Sequence, residues 1–141
     1  MKTLLVSHGD MAKGLINSYE MIAGKNNHLD SICLTNEGID IFSKRLIEKL
    51  GTYKNEKVLI LCDVKGGSPF NEAYKYQMMY PDDISIVCGM NLPMLIEVAF
   101  LLSSSDNLDV LYKTALEVGK KAIEGIQKED EQESEKNELE F

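Results

Sequence analysis

The chain has 141 residues, 44% of them hydrophobic and 27% charged, with three cysteines and no tryptophan. That length suits one domain with a real core; no apolar run reaches the roughly 20 residues of a membrane span, and the start lacks the basic flank and apolar stretch of a secretory signal, so a cytoplasmic location is expected. The net charge of −8 gathers at the end, where residues 129–141 hold seven acids and one lysine and leave about −2 for the rest, with no basic stripe to fit nucleic acid.

Thr3-Leu4-Leu5-Val6 is the apolar part of a first strand over 2–6, which runs into Ser7-His8-Gly9. A helix follows over 10–23. Leu15, Tyr19 and Ile22 share one face of it, with Ile16 and Ala23 beside them, and Gly24 is its stop. Leu29–Leu34 alternates enough to be a short edge strand. The second helix spans 39–50, with Ile39, Phe42, Leu46 and Leu50 on one stripe and Gly51 ending it. Lys57–Cys62 is the most continuously apolar strand and therefore a central one. After the glycine-containing loop 63–68, Pro69 opens a third helix that runs to about Tyr80. Ile84–Cys88 is the fourth strand, and Pro93 opens a fourth helix that ends in Ser103-Ser104-Ser105. Asn107 or Asp106 caps a last helix whose apolar positions are Leu108, Leu111, Ala115, Val118 and Ala122.

Four strand–helix units predict a single-domain α/β fold, an open and mostly parallel sheet with helices on both faces. The folded domain is expected over residues 1–127, and the acidic stretch 128–141 is expected to be disordered. Cys33, Cys62 and Cys88 sit in strand-like runs without metal-ligand spacing. They read as reduced core thiols, and no metal site or cofactor is expected. His28 reads as a solvated turn residue, and Met78 and Met79 as helix packing.

In open α/β sheets, ligands and chemistry gather at the carboxyl edge. This chain brings Ser7-His8-Gly9, Thr35-Asn36, Asp63 with its loop, and Gly89-Met90-Asn91 to that edge. If strands one and three are neighbours, His8 faces Asp63. A carboxylate beside an imidazole fixes one tautomer and leaves the other nitrogen as nucleophile. Gly66 and Gly67 permit close backbone approach, and Ser68 sits at a helix N-terminus that favours an anion. Met11 lies near enough to line the rim. Taken singly, the histidine reads as a turn residue, the aspartate as a loop cap and Gly66-Gly67-Ser68-Pro69 as a helix start. Their joint placement at one edge favours phosphoryl transfer, and neither a Walker A nor a GxGxxG sequence is present.

The segments Leu5-Val6-Ser7-His8-Gly9, Cys62-Asp63-Val64-Lys65-Gly66-Gly67-Ser68-Pro69-Phe70-Asn71 and Gly89-Met90-Asn91-Leu92-Pro93-Met94-Leu95 resemble the EIIA component (type 4) of the mannose family of the bacterial sugar phosphotransferase system, the PTS. The resemblance covers roughly residues 1 to 125. It implies a phosphocarrier in which His8 takes a phosphoryl group from HPr and passes it to a histidine of EIIB, with EIIC and EIID acting downstream in the membrane. It implies that Asp63 orients His8, that Ser68 and Gly67 bind the phosphoryl group, and that Gly9, Met11 and Asn91 form the rim. It also implies a homodimer that exchanges an antiparallel edge strand, here near 119–127. Lys65 stands where some relatives carry a bulky aromatic. EIIB is expected as a separate polypeptide. Two alternatives are the related phosphotransfer subunit of dihydroxyacetone kinase, against which GGSPFN argues, and a regulatory module that senses a phosphorylated metabolite.

Overall fold

The computed structural model describes residues 1–128. In chain order its elements are β1 (Lys2–His8), α1 (Met11–Ala23), β2 (Leu29–Leu34), α2 (Ile39–Thr52), β3 (Val58–Cys62), α3 (Ser68–Met79), β4 (Ile84–Cys88), α4 (Leu92–Leu102) and α5 (Leu108–Lys121). The four strands pair in parallel in the order β2-β1-β3-β4. The two interior strands are the two most apolar: all of β3 is buried, as is β1 from Thr3 to Ser7. The chain passes from β1 outward to β2, then back across β1 to β3. The connection therefore reverses between β1 and β3, where α/β sheets open a crevice.

Two apolar layers flank the sheet. Leu5, Leu59, Leu61 and Val87 pack with α1, α4 and α5 through Leu95, Val98 and Leu111. Leu4, Val6, Ile60 and Cys62 pack with α2 and α3 through Phe42, Leu46 and Ala73. Full burial of a leucine such as Leu46 or Leu95 contributes roughly 1.5–3 kcal/mol. Because strand side chains alternate, β1 sends Leu5 and Ser7 to the first layer, and Leu4, Val6 and His8 to the second.

Several local expectations are corrected. α2 continues through Gly51 to Thr52, because the buried Tyr53 beyond it anchors the exit and Gly51 keeps a negative φ. Ile22 (61% exposed) lies at the edge of the α1 stripe, and Ile39 (42%) is the first residue of α2, outside its packed portion. Met78 and Met79 are exposed too. Pro69 and Ala73 are the buried side of α3, and the 3.6-residue period carries Met78 to the opposite side and Met79 to the flank. His28 is half-buried, with Nδ1 3.2 Å from the Met1 carbonyl oxygen. No antiparallel strand forms among the described residues; α5 reaches Lys121, and 123–127 lie in neither helix nor strand. The disorder expected of the tail falls on residues 129–141, outside those described.

Candidate functional site

His8 is the last residue of β1, and Asp63 follows directly after β3. Parallel pairing of these strands puts them side by side. Asp63 Oδ2 accepts two hydrogen bonds from His8, one from its backbone N–H at 2.9 Å and one from ring Nδ1 at 2.7 Å. Asp63 Oδ1 accepts the Val64 N–H at 2.8 Å. The carboxylate is 10% exposed and the imidazole 50%. Burial alone would raise the Asp63 carboxyl, but the bonds from His8 and Val64 outweigh it and hold the group below its ordinary value. An ionised acceptor on Nδ1 requires the proton on Nδ1. Nε2 then keeps its lone pair in the neutral ring.

That lone-pair edge of the ring lies against Gly67. A Cβ on residue 67 would stand 2.6 Å from His8 Cε1 and 3.3 Å from Nε2. Gly67 has an ordinary φ of −82°, so space and not backbone strain calls for glycine here. The preceding Gly66, at φ +86°, makes the turn that brings Gly67 in. Gly67 is also the N-cap of α3, and no side chain caps that helix. Because Gly67 lies against the ring, the positive end of α3 is near His8, and Ser68, its first residue, is half-buried.

The remaining expected residues divide. Gly9 is at φ +55° and donates its N–H to Leu34 at 2.7 Å, which ties the exit of β1 to β2. Met11 is 45% exposed in the first turn of α1. Asn91 is occupied elsewhere: its Oδ1 accepts the Met94 N–H at 3.0 Å as the α4 cap, and its Nδ2 donates to the Gly119 carbonyl at 3.1 Å. Its side chain fixes α4 to α5. Val64, which the sequence did not single out, is 53% exposed, and its Cγ2 lies 3.4 Å from where a Gly67 Cβ would be. Adjacency to Asp63 is the one sequence signal for it.

Cys62 and Cys88 are register partners on β3 and β4. Burial pushes both thiols up, most strongly Cys62, so they stay protonated and poor nucleophiles. Among the described residues no three His, Cys, Asp or Glu side chains gather into a metal-ligating group. No described helix is long and apolar enough to cross a membrane. The arrangement offers a half-exposed imidazole fixed through one nitrogen, a carboxylate to hold charge on the ring, and a helix N-terminus for an anion.

Residues 2–116 match the family described as "PTS system fructose IIA component" (EIIA-man). The chain is 31% identical over 100 residues to the sorbose-specific EIIA component of Lacticaseibacillus casei, covering 70% of this chain and 72% of that one. It is 28% identical over 124 residues to the mannose-specific EIIAB component of Escherichia coli (strain K12), covering 85% of this chain but only 38% of that longer protein. Among solved structures, the mannose/sorbose-specific IIA subunit from Enterococcus faecalis superposes with a TM-score of 0.78 at 33% identity, covering 89% of this chain and 94% of that one. A phosphotransferase system EIIA component from Streptococcus agalactiae gives 0.80 at 26% identity, covering 88% and 95%. Sequence and fold agree, and the chain belongs to the EIIA family of the sugar phosphotransferase system.

Proposed function

We propose that the protein is a cytoplasmic phosphocarrier that takes a phosphoryl group from phosphorylated HPr onto His8 and gives it to a histidine of EIIB. Nε2 attacks the phosphorus as the N–P bond of the donor histidine breaks. One N–P bond replaces another, so the transfer is close to balanced and reversible. The ring keeps its Nδ1–H throughout. It becomes positive when Nε2 is substituted, and the ionised Asp63 stabilises that charge. The first-turn N–H groups of α3, with Ser68 and the space left by Gly67, receive the phosphoryl oxygens. Gly9 and Met11 belong to the rim that meets each partner, and EIIC and EIID complete the membrane system. A homodimer is part of this reading.

One observation carries the reading: Asp63 Oδ2 holds both the backbone N–H and ring Nδ1 of His8, which leaves Nε2 of the half-exposed ring unbonded next to Gly67. The test is labelling by phosphorylated HPr carrying a radioactive phosphoryl group. Wild-type protein should take up one acid-labile, base-stable label, and His8→Ala none. Label on His8→Ala, or none on the wild type, would overturn the proposal.

A further inference from the structure

Ser7 precedes His8 but points to the other face of the sheet. Its side chain is fully buried and hydrogen-bonded twice: the hydroxyl donates to the Gly9 carbonyl at 3.0 Å and accepts the Ala12 N–H at 2.8 Å. Ala12 is the second residue of α1, and Asp10, at the cap position, makes no side-chain cap bond. Ser7 therefore caps α1 from inside the strand, a task that normally falls to the residue at the helix entry. The same hydroxyl holds the peptide carbonyl of Gly9, a residue at φ +55° whose backbone would otherwise be the freest point in the bend.

His8 is thus gripped from both faces. On one, Asp63 takes its backbone N–H and ring; on the other, Ser7 fixes the backbone that follows it. Without the hydroxyl, the Ala12 N–H loses its partner at a buried position, and the carbonyl of the exposed Gly9 loses the bond that holds it. The bend over 8–12 would then relax, and the imidazole would move with it.

We propose that Ser7 is a positioning residue for phosphoryl transfer, one that touches neither ring nor phosphoryl group but sets where Nε2 stands. This rests on the phosphocarrier reading above. A misplacement of a reacting atom by about 1 Å can lower a transfer rate by about 10²-fold.

The test uses Ser7→Ala and Ser7→Thr, with two readouts. One is the rate of phosphorylation by phosphorylated HPr. The other is the nitrogen NMR spectrum of the His8 ring across pH, which reports the tautomer without any phosphate. Ser7→Ala should lower the rate about tenfold and mix the Nδ1–H and Nε2–H tautomers. Ser7→Thr, which keeps the hydroxyl, should restore both. If Ser7→Ala does not fold, Ser7→Cys, with a weaker donor of similar shape, takes its place with the same two readouts. A variant that melts lower but keeps the wild-type rate and ring spectrum makes Ser7 a helix cap only, and the proposal fails. If wild-type protein takes no phosphate, the phosphocarrier reading fails instead, while the ring spectrum still decides whether Ser7 places His8.

Discussion

Two aspartates at opposite edges of the sheet each accept a hydrogen bond from an aromatic ring. At the carboxyl edge, Asp63 takes Nδ1–H of His8. At the amino edge, Asp30, near the start of β2, takes the hydroxyl of Tyr53. Tyr53 is buried, with the Lys2 ammonium 5.9 Å from its ring centre, and Lys49 Nζ stands 3.9 Å from Asp30. The phenol has one polar atom. Once that atom is given to Asp30 and covered, the pair is a lock that holds the exit of α2 onto β2. The imidazole has two nitrogens, and the bond to Asp63 uses one and leaves the other free on a half-exposed ring. The similar pairing is structural at one edge and chemical at the other, because of that second atom and its exposure.

The largest break in this contrast comes from Asp63→Asn. Asp63 accepts on both oxygens, from His8 twice and from Val64 once. An amide offers only one acceptor oxygen. If its NH2 turns to His8, the ring must accept at Nδ1 and carry its proton on Nε2, which removes the nucleophile. Transfer from phosphorylated HPr should fall by about 10²-fold with the fold retained. Stopped-flow or quenched labelling measures it, and a rate within twofold of wild type would show that the carboxylate has no part in the chemistry.

Much of this site was legible before the structure. The apolar runs in β1 and β3 marked them as interior strands, and two interior parallel strands in a short sheet are easily neighbours. That is enough to bring His8 to Asp63. What the sequence hid depends on where single side chains turn. Asn91 sits at a strand end like His8, so it reads as rim; the helix that begins at Leu92 claims its oxygen as a cap. Gly119 looks like any glycine in a helix, yet a Cβ there would meet Met94 Cε at 2.5 Å, so it lets α5 close on α4. The role of Ser7 is hidden because a serine beside a histidine has no periodic signature. Tyr53 is hidden because a glycine stop predicts a helix ending at Leu50, two residues before its end at Thr52.

A smaller effect should come from Gly67→Ala. Its φ suits alanine, so stability should move by less than about 1 kcal/mol. The added methyl would stand 2.6 Å from His8 Cε1, and the half-exposed ring can escape only by turning away from Asp63. The transfer rate should fall about tenfold, and the Nδ1–H signal of His8 should broaden or shift. An unchanged rate would mean that the ring does not need the surface of Gly67.

The smallest effect on transfer, and the sharpest check on the contrast, is expected from Tyr53→Phe. Removing the hydroxyl leaves Asp30 without that donor and should cost about 1–2 kcal/mol at neutral pH in a urea melt. Burial, with Asp30 next, raises the Tyr53 phenol well above its ordinary value of 10.0. A group raised in the folded state gives stability that is full below its unfolded value and lost as pH climbs beyond it. The gap between wild type and Tyr53→Phe should therefore be flat below pH 10 and narrow above it, while phosphorylation of His8 at neutral pH stays at the wild-type rate. If Tyr53→Phe slowed transfer as much as Gly67→Ala, the two edges would be coupled. β2 offers the route for that, since Asp30 is its second residue and the Leu34 carbonyl at its other end holds Gly9 beside the histidine.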